Sequence, residues 1–215
     1  MDLEFDATSR SKGLERLLGL SDDVLAFAIT LLALELVTPV VVGPATNASL
    51  ASALVLELPS FLNYTVSFWV IGMMWRGHHL IFRHIKYSDP GLLMLNLLFL
   101  FFIVLIPFAT RVLNSYSGSV QLAVVLYASL LIGAGLTNAF IWRYASSNHR
   151  LLDKEISQRT IRWLWVRSLV APVIFAISIL LALVNRYVSI ASWFTVFPAV
   201  FLLDRRFAKQ MGKTS

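Results

Sequence analysis

Residues 90–110 read PGLLMLNLLFLFFIVLIPFAT, with no Asp, Glu, Lys or Arg among them. An α-helix rises about 1.5 Å per residue, so about 20 apolar residues cross a hydrocarbon core of about 30 Å. A helix also satisfies its own backbone polar groups there. Residues 58–75, 112–142, 168–185 and 187–203 form four more charge-free runs. Residues 20–38 are a sixth apolar run, with Asp22 and Asp23 near one end and Glu35 near the other. Hydrophobic residues make up 58 % of the 215 residues, charged residues 14 %, and the mean hydropathy is +0.74. Soluble domains have about 45–50 % apolar and about 25 % charged residues. These figures exclude a soluble globular domain and a disordered chain.

The expected fold is an all-α integral membrane protein forming one domain over 1–215. Its spans lie near 20–38, 52–75, 91–112, 119–142, 165–185 and 187–204. Gly43-Pro44, Asp89-Pro90-Gly91 and Asn114 to Gly118 punctuate the connections, and Arg186 marks a tight reversal between the last two spans. Of the 18 basic residues, all but Arg111 and Arg186 fall in the N-terminal segment, the second and fourth connections, and the C-terminal segment. The positive-inside rule puts these on the cytoplasmic side, so both termini are expected there in a multi-pass protein of the plasma membrane, surrounded by lipid. This placement also accounts for the +6 charge without nucleic acid as a partner. Gly133-Ala134-Gly135 and Ser129 suit close helix packing.

The first apolar run carries the most information, because ionisable residues within a span are costly and face protein or water. On a wheel of about 100° per residue with Phe27 at zero, Leu31 lies at about +40°, Leu34 at about −20° and Thr30 at about −60°. Arg16, Leu20, Asp23 and Thr38 extend the same stripe. Asp22 points to the other side with Ala26 and Ala33, small residues that allow a second helix close by. The stripe reads equally as bundle core, with the Thr30 hydroxyl bonded back to the Ala26 carbonyl.

Arg16-Leu-Leu-Gly-Leu20-Ser21-Asp22, running into Val24-Leu-Ala-Phe-Ala-Ile-Thr-Leu-Leu-Ala-Leu34, resembles the first helix of the bacterial branch of the transmembrane protein 175 family, lysosomal potassium channels. Leu20 stands where that family has Phe, and Asp23 where Gly is usual. Trp75-Arg-Gly-His78-His79, Asn96-Leu-Leu-Phe-Leu and Pro107-Phe108 extend the resemblance over residues 16–110. It implies a potassium-permeable channel, not an enzyme, with six spans per subunit and four subunits whose first helices line one pore. No cofactor is implied, and K+ is the permeant ion. The constriction carries over to Phe27, Thr30, Leu31 and Leu34, in place of a Thr-Val-Gly-Tyr-Gly filter, which this chain lacks. Asp23 falls at the cytoplasmic pore mouth. Arg16, Ser21, Asp22, His78, His79 and Asn96 fall in a structural polar network.

Two other readings compete. Intramembrane acids and histidines could relay protons in a small secondary transporter or proton-coupled permease, though no inverted repeat or paired broken helix is visible. His78, His79 and His84 with Asp22 could hold a metal, but adjacent histidines on a helix diverge by about 100°, so no metal site is expected. No Gly-x-Ser-x-Gly or His-Glu-x-x-His occurs.

Overall fold

The computed structural model describes residues 2–116, 120–152 and 155–211. The chain runs α1 (Asp2–Ala33), α2 (Asn47–Leu56), α3 (Leu58–Phe82), α4 (Pro90–Tyr116), α5 (Gln121–Ser146), a 3-10 turn (Ser147–His149), α6 (Gln158–Val184), α7 (Arg186–Trp193) and α8 (Val196–Met211). The described residues form an all-helical bundle, and their one β-type pairing is an antiparallel bridge between Ile85 and Leu152. Residues 117–119 of the expected connection before α5 lie outside the described set.

α5 is the middle helix, wedged between α4 and α6. Small residues allow this: a Cβ added at Gly133 would lie 2.5 Å from the Phe102 ring of α4, and one at Gly135 would lie 2.9 Å from Pro172 of α6. Ala134 between them is fully buried, whereas Ser129 faces outward and takes no part in this packing. Lipid tails are as apolar as Leu, so burial alone does not hold such helices together, and interhelical hydrogen bonds add about 0.6 kcal/mol each. Ser67 of α3 is bonded to Thr110 of α4 and to Tyr127 of α5, both at 2.9 Å, with all three residues buried. Trp193 of α7 donates to Ser178 of α6 at 3.0 Å, and Arg167 of α6 pairs with Asp204 of α8 at 3.0 Å.

The helix map differs from the expected spans at three places. α1 ends at Ala33 rather than at Thr38, because Leu34, Glu35 and Leu36 close with i→i−3 bonds and residues 37–42 are irregular. The expected span 52–75 is two helices meeting at about 50° around Glu57, where Pro59 opens α3, and α3 continues past Trp75 to Phe82. The expected span 187–204 is broken between α7 and α8. By length and composition four helical stretches can cross a membrane, or five when α2 and α3 are taken as one. α1 is not among them: Arg16, Asp22 and Asp23 all fall in its last 18 residues.

The end of the bundle bearing the basic connections is tied by Asp89. Its Oδ1 caps α4 by accepting from the Leu92 amide at 2.8 Å, and its Oδ2 accepts from Tyr144 at 2.8 Å and pairs with Arg150 at 3.1 Å. Burial alone would raise the Asp89 pKa, but the Leu92 amide, the Tyr144 hydroxyl and the Arg150 guanidinium together hold it below the usual value. The 3-10 turn that delivers Arg150 needs left-handed backbone at Asn148 and His149, both with φ of 53°.

Candidate functional site

α1 has two faces of opposite fate. Leu14, Leu17, Ser21, Leu25, Ala28 and Leu32 repeat at helical spacing and are all buried, against α3 and α4. The stripe expected from the sequence is turned the other way. Phe27 is 70 % exposed, Leu34 70 %, and Leu20 and Leu31 42 % each, and Thr30, Asp23 and Arg16 are exposed too. The stripe is therefore not core of its own bundle. Leu34 remains on it although it lies one residue beyond the helix, because its amide bonds to Leu31 at 3.1 Å and keeps the chain turning. Thr38 drops out with the end of the helix.

Ala26 and Ala33 are exposed as well, so the close approach expected there is absent within the chain. Ala28, with no exposed surface, serves that purpose instead. The Thr30 hydroxyl does bond back along the helix, but to the Phe27 carbonyl at 2.9 Å rather than to Ala26. A hydroxyl whose proton is donated inward leaves its oxygen lone pairs facing away from the backbone.

Of the six residues expected in one network, three are joined directly. Asn96 of α4 donates from Nδ2 to the Ser21 hydroxyl at 2.9 Å, and its Oδ1 meets His78 Nε2 of α3 at 2.8 Å. Ser21 in turn donates to the Leu17 carbonyl at 2.8 Å. All three side chains are buried, and the His78 ring lies stacked beside Phe82 at 4.2 Å and Phe99 at 4.9 Å. With the Asn96 oxygen accepting, Nε2 of His78 carries the proton. The remaining three sit outside this chain of bonds. Asp22 is exposed and accepts from the Trp75 indole at 2.8 Å. His79 lies 5.7 Å from the Trp75 ring, and Arg16 makes no contact with the network among the described residues. His84 packs on Trp142 at 6.1 Å, away from His78 and His79, and burial together with Arg83 lowers its pKa. Among the described residues no three His, Cys, Asp or Glu converge as metal ligands.

Trp75 and the opposite end of α1 are what the sequence reading missed. Glu35, near the outer end of the first apolar run, has a side chain only 10 % exposed and forms an ion pair with Arg111 of α4. The signal was available. Arg111 is one of two basic residues placed on the outer side, where Glu35 also falls, and a lone arginine at a membrane edge needs an acid.

The model of the endosomal/lysosomal potassium channel TMEM175 family matches residues 16–107, the stretch from Arg16 to Pro107 that holds both faces of α1 and the Ser21–Asn96–His78 bonds. A potassium channel of Streptomyces collinus is 30 % identical over 175 residues, covering 80 % of this chain and 84 % of that one. The endosomal/lysosomal proton channel TMEM175 of mouse is 30 % identical over 141 residues, 59 % of this chain and 28 % of that protein. Among solved structures, a lysosomal potassium-selective channel TMEM175 homologue from Chamaesiphon minutus superposes with a TM-score of 0.75 at 23 % identity, over 91 % of this chain and 98 % of that one. A variant of the potassium channel MtTMEM175 superposes with a TM-score of 0.60 at 18 % identity, over 90 % and 93 %. With the first-helix motif, the bundle and the relatives in agreement, this chain belongs to the TMEM175 family of ion channels.

Proposed function

We propose that the chain is one subunit of a potassium-permeable channel in a prokaryotic plasma membrane, and not an enzyme. The observation that carries the reading is the outward face of α1, where a large apolar stripe is interrupted by Thr30 and continues into Asp23 and Arg16. A face turned to lipid would not align a carboxylate and a guanidinium with its apolar residues, whereas a face turned to a water-filled axis can. One helix cannot enclose a pore, so several copies must contribute α1. Four copies, with six spans each and both termini on the basic side, is the arrangement the family resemblance supports.

In that arrangement Phe27, Leu31 and Leu34 form apolar rings that narrow the pore, and Thr30 sets a ring of hydroxyl oxygens among them. An ion shedding water there needs replacement oxygens. Potassium gives up its water at lower cost than sodium, so weak neutral oxygens favour it. The site uses no cofactor, and K+ is cargo. Asp23 lies at the mouth, while Ser21, Asn96 and His78 fix the rotation of α1.

The test is flux in liposomes holding purified protein, driven by a potassium gradient with a protonophore present. Channel-like throughput, with a bi-ionic reversal potential favouring potassium over sodium, is expected. Stoichiometrically coupled exchange would overturn the reading in favour of a secondary transporter. Recorded in planar bilayers without the protonophore, a reversal potential that follows only the pH gradient would indicate proton permeation, as the name of the mouse relative describes for that protein.

A further inference from the structure

α3 and α8 leave a groove between them, floored by α5. Its inner part, about 80 Å³, is walled by Met73, Gly77, Asn138, Arg167, Phe197 and Val200. It continues into an open cleft of about 370 Å³ with Arg76, Phe201 and Asp204 at the mouth.

The groove has a direction. Arg76, Asn138, Arg167 and Asp204 lie about two turns in from the ends of α3, α5, α6 and α8 that face the basic connections. Val70, Phe175 and Val196, one or more turns deeper, are apolar. This is the polarity profile of one lipid molecule in one leaflet.

Two further observations say what the occupant offers. Asn138 is only 8 % exposed, lines the groove, and its Oδ1 has no hydrogen-bond partner among the described residues, so it calls for a donor. The rim is net basic: Arg76 is exposed, Arg167 is 9 % exposed with its Nε given to Asp204, and the Arg205 guanidinium sits 4.7 Å over the Phe201 ring. Asp204 shares the groove lining with two guanidinium groups, Arg76 and Arg167, and Arg205 follows it in α8. Anionic headgroups are concentrated in the leaflet on that side, and basic pockets between spans are where they bind.

We infer that the α3–α8 groove binds one anionic glycerophospholipid, with an acyl chain along Met73 and Val200, its phosphate between Arg76 and Arg167, and a headgroup hydroxyl donating to Asn138. The inference needs only that the bundle sits in a membrane and is independent of what α1 conducts.

Native mass spectrometry of the detergent-purified assembly, exchanged against phosphatidylglycerol or phosphatidylcholine, tests it. Phosphatidylglycerol is expected to be retained several-fold better, and Arg76→Gln and Asn138→Leu are each expected to remove that preference without changing the elution volume. Arg76 is exposed, so Arg76→Gln decides the matter should Asn138→Leu fail to fold. Equal retention of both lipids, or unchanged phosphatidylglycerol retention in Arg76→Gln, would overturn the inference. An oligomer that falls apart in either folded variant while lipid retention is unchanged would make the groove a contact between subunits, and would overturn it as well.

Discussion

Leu17, Leu25 and Leu32 on one side of α1 and Leu20, Leu31 and Leu34 on the other are the same amino acid at comparable depths, yet the first three are buried and the second three exposed. Hydrophobicity cannot have sorted them. The difference between the faces is polar: Ser21 lies among the buried leucines and is reached by Asn96, while Thr30 and Asp23 lie among the exposed ones and, among the described residues, hydrogen-bond to no other helix. In a bilayer, where lipid is as apolar as a helix partner, rotation about the helix axis is set by which hydrogen bonds must close and which small residues allow approach. Ser21 and Ala28 settle it for α1.

The largest expected effect comes from breaking the buried side. Asn96→Leu removes both bonds at once and strands the His78 Nε2 proton and the Ser21 oxygen in an apolar setting, at about 1–3 kcal/mol for each group left unmet. Loss of most of the monodisperse peak in fluorescence-detected size exclusion is expected. A normal peak would mean that the Ser21–Asn96–His78 bonds do not orient α1.

Next in size is the contrast between leucines. Leu31→Ala and Leu34→Ala are expected to leave assembly intact and to change potassium flux several-fold, by widening the apolar constriction. Leu32→Ala cuts a side chain with no exposed surface and should act through stability instead, by about 2–5 kcal/mol. Flux normalised to assembled protein separates the two. Similar changes at all three positions would erase the distinction between the faces.

The grouping of Phe27, Leu31 and Leu34 on one stripe was legible because a wheel needs only local spacing, but the wheel left open whether that stripe is core or pore, and only the family resemblance turned it to a pore. That Ser21, Asn96 and His78 share a network came from the family resemblance, which grouped them with Arg16, Asp22 and His79; that the serine rather than the neighbouring carboxylate takes the asparagine was not legible. Nor was the end of α1. Nothing between Ala33 and Pro39 breaks a helix, and only the ion pair of Glu35 with Arg111, 76 residues away, shows how the chain leaves the helix. The bend at Glu57 was hidden for a related reason: Pro59 suits the first turn of a helix and does not reveal that another helix precedes it.

Thr30→Val tests the polar element of the exposed face. Valine keeps the shape and removes the oxygen. The bond to the Phe27 carbonyl is lost, but the helix keeps its own ladder, so assembly should be unaffected. The expected result is a reduced preference for potassium, each tenfold loss moving the bi-ionic reversal potential by about 59 mV. An unchanged potential would remove Thr30 from selectivity and leave Phe27, Leu31 and Leu34 as the whole constriction.

The smallest effect separates two neighbouring acids. Asp22 and Asp23 are both exposed and diverge by about 100° around α1. Asp22 is held by the Trp75 indole and so ties α1 to α3 near the basic end, whereas Asp23 continues the line of Phe27 and Leu31. An exposed carboxylate at a pore mouth acts by raising the local concentration of cations, and that attraction is screened over a Debye length of about 8 Å at 0.15 M salt. Asp23→Asn should therefore lower potassium conductance by less than about twofold at physiological salt and by more at low salt, with elution unchanged. Asp22→Asn keeps an oxygen for the indole to donate to, so its conductance should show no added salt dependence, and a modest loss of thermal stability is expected. A conductance change with the same salt dependence in both variants would mean that the two carboxylates face one aqueous space. The stripe through Phe27 would then have to be widened to include Asp22, and the indole bond would become a feature of the pore wall rather than of the joint between α1 and α3.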